Sequence, residues 1–569
     1  MDAVSHSTGA VGRIRINVEQ ASRSEYERGI PNALPGSGMG VSKSQRLKLL
    51  LEKGYLPEDL PPPFNARGLA KYAEHFSKCW AGKKTPLTRY QRYSTPRLSN
   101  SRRVLAITNP VSQFNLSKII SDNYVEIKKI ISKSCMSIAV PEIISDEIRA
   151  IRPVEFEKLY FKRLQISSCH SVVLQSDISW FYPTLYTHVI PWALHGKEWC
   201  KSSLQSPDYK KSLGKMLDNA IRFTQENQTI GIPIGPDTSR IISEIVAVAV
   251  EEKLLKETSL AAGVAIRHVD DITIGFDSLS DAEEGKFALE KCLDYYELQV
   301  NYGKTKTSTS ADYRDGIWVY QIKQFSFGDT APTQRRSLEH FIHLAFDLAL
   351  SNPSDNVLNY AVKATKGVDF FAQNWDLYET FLLKCGRSNG TCVPPVAQLL
   401  IWYNHRSVVT EKARIAKYIT DMLARHAPIG HHAEVAWCLF LAKALRIEIQ
   451  KKDISPVYDI DCSICSLISL DLDERGLISG GLDKTKWEKL LTVDNLDSES
   501  WLLVYEGAVK GWLGSNDAFI DGHKHFKDLK RKKVSFYDEG KNVKSKRAEK
   551  YAFLKFYENL MKSLESVSS

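Results

Sequence analysis

The residues of this sequence best suited to chemistry are acidic, and three stand out by their setting. Asp270 and Asp271 are adjacent in His268-Val269-Asp270-Asp271, between the β-forming runs Ala265-Ile266-Arg267 and Ile272-Thr273-Ile274. Asp177 lies 93 positions before Asp270 and follows the apolar run Val172-Val173-Leu174. Carboxylates on rigid strands are the hard-oxygen ligands that magnesium takes from protein. Two such ions clamp the attacking and leaving oxygens of a phosphoryl transfer. Neighbouring residues of a pleated strand face opposite sides, so one Asp can ligate metal while the next supports it or reaches a second ion. An Asp-Asp turn is common by itself, so the surrounding segments decide the reading.

Three segments surround these acids. Asp177 sits in Ser176-Asp177-Ile178-Ser179-Trp180-Phe181-Tyr182-Pro183, with an aromatic pair four and five positions on. Gly231-Ile232-Pro233-Ile234-Gly235-Pro236-Asp237-Thr238-Ser239 is a glycine-punctuated turn that opens a helix predicted over 239–252. Its glycines let backbone approach a base or sugar closely. After the Asp pair and a further helix comes Leu298-Gln299-Val300-Asn301-Tyr302-Gly303-Lys304-Thr305.

The elements that must hold these residues can be read from periodicity. Val172–Leu174 predicts a buried strand ending at Asp177, and 265–268 with 272–274 predicts a hairpin whose tip carries the Asp pair. Residues 1–43 are rich in Gly and Ser, with one alternating run at 13–18, and predict a leader with at most one strand. A helix over 44–53 is stopped by Gly54 and Pro57. From 44 to about 330 helices and short strands mix, which predicts an α+β domain. From 331 to 569 helical stripes dominate, beginning with Leu338, Phe341, Ile342, Ala345, Phe346 and Ala349. Helices recurring near 355–366, 375–385, 395–404, 411–425, 432–445, 485–492, 500–513 and 547–565 predict an all-α domain of degenerate repeats or an irregular bundle.

Charge adds a partner. The chain of 569 residues has a formal net charge of +9. Residues 83–103 hold seven basic residues and no acidic one, and 523–550 hold eleven against four. Positive charge so concentrated suits a phosphate backbone, and Tyr90 and Tyr93 within the first stretch read as stacking surfaces for bases. No apolar run reaches the ~18 residues of a membrane span. The first residues lack the basic-then-apolar layout of a signal peptide, and ten scattered cysteines suit reduced thiols, so a cytoplasmic protein is expected. Cys462 and Cys465 form the one Cys-x-x-Cys and read as helix-packing thiols, with no second pair at zinc spacing.

The order and spacing of the segments around Asp177, Gly231–Gly235, Asp270-Asp271 and Lys304 resemble motifs A to D of the reverse-transcriptase palm. Gly54-Tyr55-Leu56-Pro57-Glu58-Asp59-Leu60-Pro61, Tyr182-Pro183-Thr184-Leu185-Tyr186-Thr187-His188 and His432-Ala433-Glu434-Val435-Ala436-Trp437 are similar to the abortive-infection (AbiK-like) and defence-associated reverse transcriptases of bacteria. The resemblance covers roughly 44–560. It implies fingers and palm over 44–330 joined to a HEAT-like helical domain over 331–569.

It also implies that Asp177, the Ile178 backbone, Asp270 and Asp271 hold two Mg²⁺ ions. Tyr182 then stands at the steric gate that excludes a 2′-hydroxyl, and Pro233 and Gly235 position template and nucleotide. Lys304 is a candidate cation or acid near the leaving pyrophosphate. Tyr93 to Leu105 is similar to the fingers segment whose basic residues hold the triphosphate, and Arg102 and Arg103 are the candidates. His268 replaces the usual Tyr at the head of motif C, which leaves the primer contact open.

The expected activity is polymerisation of dNTPs into DNA in bacterial antiphage defence. It would run on a non-coding RNA or without template, in a homo-oligomer and with no membrane partner. Priming on a protein tyrosine is part of the same expectation, with Tyr537 as one candidate on a mobile segment. An RNA-dependent RNA polymerase and an inactive palm serving as a nucleic-acid-binding scaffold are the alternatives.

Overall fold

The strand ending at Asp177 forms because Val172, Val173 and Leu174 are all buried, which places it at the centre of a sheet. In the computed structural model, which describes residues 41–98, 101–154, 156–258, 263–313, 316–404, 411–514 and 516–543, the sheet has four antiparallel strands. They are β1 (Val172–Asp177), β2 (Ala265–His268), β3 (Asp271–Phe276) and β4 (Lys306–Thr309), in spatial order β2-β3-β1-β4. Helix α1 (Asp237–Thr258) runs between β1 and β2, and α2 (Leu279–Tyr295) between β3 and β4. A β-α-β-β-α-β order with this strand arrangement is the split-βαβ, ferredoxin-like topology. Leu174, Ile274, Ile245 and Leu289 share the core between sheet and helices.

Before this unit the chain forms helices α3 (Lys43–Glu52), α4 (Arg67–Lys71) and α5 (Ala73–Cys79) and a hairpin of β5 (Gln91–Pro96) and β6 (Arg102–Ile107). After it the chain is almost wholly helical. That part includes α6 (Ala331–Ser351), α7 (Lys412–His426), α8 (His432–Leu445), α9 (Ser463–Glu474), α10 (Trp501–Val509) and α11 (Phe526–Arg531). The predicted helix at 485–492 is only Thr485–Glu488. The predicted strand at 13–18 and helix at 547–565 lie outside the described residues.

The hydrophobic core does not break near residue 330. Leu47, Phe76, Tyr93 and Phe114 belong to one buried cluster with Phe341, Trp437, Trp501 and Phe536. Trp501 Nε1 donates to the Ile107 carbonyl at 3.2 Å and Trp437 Nε1 to that of Asp59 at 2.9 Å. The N-terminal helices and the hairpin therefore share a core with the helical part.

The C-terminal end of the described chain closes this core. Phe64 and Tyr537 form an antiparallel bridge, Asn65 N donates to Phe536 O at 2.9 Å, and Asp538 N donates to Pro63 O at 2.9 Å. Trp80 Nε1 donates to Asp528 Oδ2 at 3.0 Å. Tyr537, expected on a mobile segment, is instead buried at 1% exposure, and its hydroxyl donates to Asp471 Oδ2 at 2.7 Å. The sequence of 523–543 looked like a charged tail because its lysines are spaced by Phe526, Leu529, Val534 and Phe536, all of which are buried.

Candidate active site

The register of the sheet brings the acids together. Asp177, last residue of β1, stands opposite Asp271, first residue of β3. Asp270 fills the turn between β2 and β3, and its carbonyl accepts a hydrogen bond from Ile178 N at 3.2 Å. Val269 at the tip has φ +61°, a left-handed conformation costly for a β-branched side chain. Such strain persists only where surrounding structure enforces it, and it gathers at functional sites.

Asp177 is 5% exposed and doubly held. Asn301 Nδ2 donates to its Oδ1 and Lys304 Nζ to its Oδ2, both at 2.8 Å. Burial, then the charge of Asp177, raises the Asp270 carboxyl above its usual range. Burial, then Asp270 and Asp177, pushes Asp271 up to about 6. Two carboxyls whose ionised forms are disfavoured by burial and by their acidic neighbours, set beside the oxygens of Asp177, are a set that a hard divalent cation satisfies. The residues present thus fit the magnesium ions that the resemblance implies.

The remaining predicted residues divide. The Tyr182 hydroxyl pairs with the Ser243 hydroxyl of α1 at 2.9 Å, which fixes the ring. Tyr182 O accepts from Ile232 N at 2.9 Å, so Tyr182 and the glycine-rich turn are bonded directly. At Gly235 φ is +123° and a Cβ would come 2.7 Å from Pro57 Cγ, so this position requires glycine. Pro233 is buried in the same turn, and Ala106 N of β6 donates to Ile234 O at 2.8 Å, which joins the hairpin to it. Arg103 is exposed on β6 and lies within electrostatic range of Asp270 and Tyr182.

Arg102 does not join this group. Adjacent strand residues face opposite ways, and its guanidinium forms a fork on Glu434 of α8, Nη1 to Oε1 at 2.5 Å and Nη2 to Oε2 at 2.9 Å. Glu434 is 2% exposed, so the pair is structural. Two more basic residues of the stretch at 83–103 are also paired, whereas Lys84, Arg92 and Arg97 are exposed. Lys83 binds Asp528 at 3.0 Å, and Arg89 binds Glu226 at 2.5 Å and Glu499 at 3.5 Å. Tyr93, expected as a stacking surface, is fully buried. Cys462 and Cys465 are buried at the start of α9, as packing thiols would be.

Sequence reasoning passed over Asn301, Ser243 and Val269. Asn301 could have been noticed three positions before Lys304, since i and i+3 residues of a turn converge on one partner. Ser243 and Val269 carry no local signal, because their roles depend on tertiary contact and backbone angle. His268 is pushed down to about 4 by burial and by Arg240, Arg163 and Arg267, so it is neutral at physiological pH. Elsewhere, His426, His431 and Glu434 place donor atoms within 4.8 Å of one another, but Arg102 already occupies that carboxylate.

No protein-family profile matches the chain, and no curated protein matches it. Solved structures of telomerase from Candida tropicalis are among those similar to it. One, an apo form truncated from the C-terminal domain, is 13% identical with a TM-score of 0.27 and covers 43% of this chain and 55% of its own. Another, in complex with the TWJ fragment of telomeric RNA, is 13% identical with a TM-score of 0.27 and covers 70% and 68%. The chain thus spans about half the length of the first of these structures. No helix of the described residues is long and apolar enough to cross a membrane.

Proposed function

We propose that this chain is a divalent-metal-dependent polymerase of the reverse-transcriptase kind, which joins dNTPs into DNA and serves antiphage defence. The observation that carries the polymerase reading is the cross-strand pairing of Asp177 with Asp271, with Asp270 beside them on a ferredoxin-like sheet. Bound there, two magnesium ions would supply an activated hydroxyl nucleophile and neutralise the charge of the departing pyrophosphate. Asp177, Asp270, Asp271 and the Ile178 carbonyl would hold them.

The chain's own residues account for the rest. The Tyr182 ring, pinned by Ser243, is a wall against which a 2′-hydroxyl would press, which favours deoxynucleotides. Arg103 offers a guanidinium within reach of the field of Asp270, the fork that suits a triphosphate. Lys304 is 56% exposed and can swing from Asp177 to a phosphate oxygen. The defence role, the homo-oligomer and synthesis on a non-coding RNA or without template rest on the family resemblance.

Incubating the purified protein with Mg²⁺ and labelled dNTPs or NTPs tests the activity. Polymer is expected from dNTPs, with none from Asp270→Ala/Asp271→Ala, and the same double variant should lose protection from phage. A preference for NTPs would make it an RNA polymerase. Synthesis unaffected by the double substitution would refute the site, and protection that survives it would refute the coupling of synthesis to defence.

A further inference from the structure

Behind the strained β2–β3 tip lies a charged cluster that the chemistry above does not use. Arg267 of β2 is 2% exposed. Its guanidinium donates from Nη2 to Glu244 Oε1 at 2.9 Å and from Nη1 to Glu244 Oε2 at 3.1 Å. Nη2 also reaches Glu251 Oε2 at 3.3 Å. Glu244 and Glu251 lie seven positions apart on α1, hence on one face two turns apart, and both are buried. Nη1 makes one more bond, to the Val269 carbonyl at 3.2 Å. A single guanidinium therefore ties the central helix to the backbone of the residue preceding Asp270.

The cluster is anchored on its far side as well. Glu251 accepts from Cys135 N at 2.7 Å, Met136 N at 2.9 Å and Ser134 Oγ at 2.6 Å. Arg267 N donates to Met136 O at 2.8 Å, and Ile138 N donates to Arg267 O at 3.0 Å. A buried ion-pair cluster is seldom retained for stability, because apolar side chains of similar volume often do as well. An apolar residue at 267 could fill the volume, but it could not hold the Val269 carbonyl in place against the strain of a positive φ. Ser243, which pins Tyr182, is the residue before Glu244, so one turn of α1 would set both the gate ring and the acid tip.

We propose that Arg267 is a positioning residue for the metal site. By gripping the Val269 carbonyl against Glu244 and Glu251 it holds the left-handed tip that aims Asp270 and Asp271 at a divalent cation. The proposal rests on the polymerase reading for its catalytic consequence. The cation affinity it concerns can be measured without catalysis.

The test is Mn²⁺ binding to the full chain by calorimetry without nucleotide, alongside dNTP kinetics. Lys keeps the charge at 267 but lacks the fork that spans Glu244 and Val269 O. Arg267→Lys should weaken Mn²⁺ binding about 10-fold, the range for outer-shell partners of metal ligands. It should lower kcat while KM for dNTP stays within about two-fold, since nucleotide contacts are untouched. Glycine adopts a left-handed φ without cost, so in a Val269→Gly background the same change should weaken Mn²⁺ binding by less than about three-fold.

Wild-type affinity in Arg267→Lys, or an equal loss in both backgrounds, would overturn the proposal, as would a wild-type chain that binds no Mn²⁺. If Arg267→Lys does not fold, Glu244→Gln removes the carboxylate that orients the guanidinium and should weaken Mn²⁺ in the same direction. An unchanged affinity there would overturn it equally. A wild-type chain that binds Mn²⁺ as described yet makes no polymer would remove the polymerase reading and leave this one standing.

Discussion

Replacing Asp271 by Asn should abolish synthesis and yet make the protein more stable at neutral pH. Asp271 faces Asp177 across the β1–β3 pair, and its carboxyl is pushed from an ordinary 3.8 up to about 6 by burial, then by Asp270 and Asp177. The folded value exceeds the unfolded one, so the folded chain holds this proton more tightly and ionisation costs stability. Below about pH 4 the carboxyl is protonated in both states and the cost vanishes; it grows between about pH 4 and 6 and is complete above. A rise of about two pK units at ~1.4 kcal/mol each sets a ceiling near 3 kcal/mol. Solvent reaches this half-buried group, so about 1–3 kcal/mol is expected. At roughly 2 cal/mol/K of unfolding entropy per residue over about 500 residues, that is a gain of ~1–3 °C in Tm. Asn removes the charge, and its amide can donate to Asp177. The assay is thermal melting in EDTA at pH 7.5 and pH 4, with primer extension in parallel. A lower Tm at pH 7.5, or an equal gain at both pH values, would refute the like-charge account of the site.

Arg102→Ala should leave Glu434 buried without its partner and cost about 3–5 kcal/mol, seen as a Tm loss of several degrees, with KM for dNTP within about two-fold. Arg103→Ala should do the opposite, leaving Tm unmoved within about 1 °C and raising that KM about 10-fold through loss of a charge-assisted phosphate contact. Tyr182→Ala should improve NTP use relative to dNTP by about 10–100-fold in single-nucleotide incorporation. Tyr537→Phe should lose the hydroxyl's bonds to Asp471 and from Lys443, about 1–3 kcal/mol, and keep full synthesis; mass spectrometry showing DNA on that residue in the wild type would contradict its burial.

What the sequence made legible is what local pattern encodes. The unbroken apolar run before Asp177 and the β-forming flanks of Asp270-Asp271 specify a buried strand and a hairpin, and both are present. Helix α1 was also readable, though it extends from Asp237 to Thr258 rather than 239–252. Alternation along β6 says that Arg102 and Arg103 part company, but which one faces the acids depends on where α8 lies, some 330 residues later. The same holds for Lys83 and Arg89, whose acidic partners Asp528, Glu226 and Glu499 are distant in sequence. Part of the positive run is thus spent on acidic partners that are invisible locally, while Lys84, Arg92, Arg97 and Arg103 stay exposed. Tyr537 misled for the converse reason, since a lysine-rich surround hid an apolar stripe. Glu244 and Glu251 left one trace, two acids seven apart that bracket the apolar run Ile245–Val250, a spacing that asks for a buried cation.

The seam joining 63–65 to 536–538 has a consequence for how the protein is made. The core around Leu69 and Phe76 includes Val534 and Phe536, so the first helices cannot finish packing until the ribosome has delivered residues well past 530. At about 5–20 residues per second, the opening helices wait roughly half a minute to a minute and a half with apolar surface uncovered. Over that interval β6, which carries Arg103, lacks its partners on α8 and at Trp501, and the turn at Gly235 lacks a settled hairpin to bond. A nascent chain would therefore hold the acids of the site before it holds the hairpin surface proposed here to receive a nucleotide. Synthesis by this protein would begin only once translation of the described chain is essentially complete.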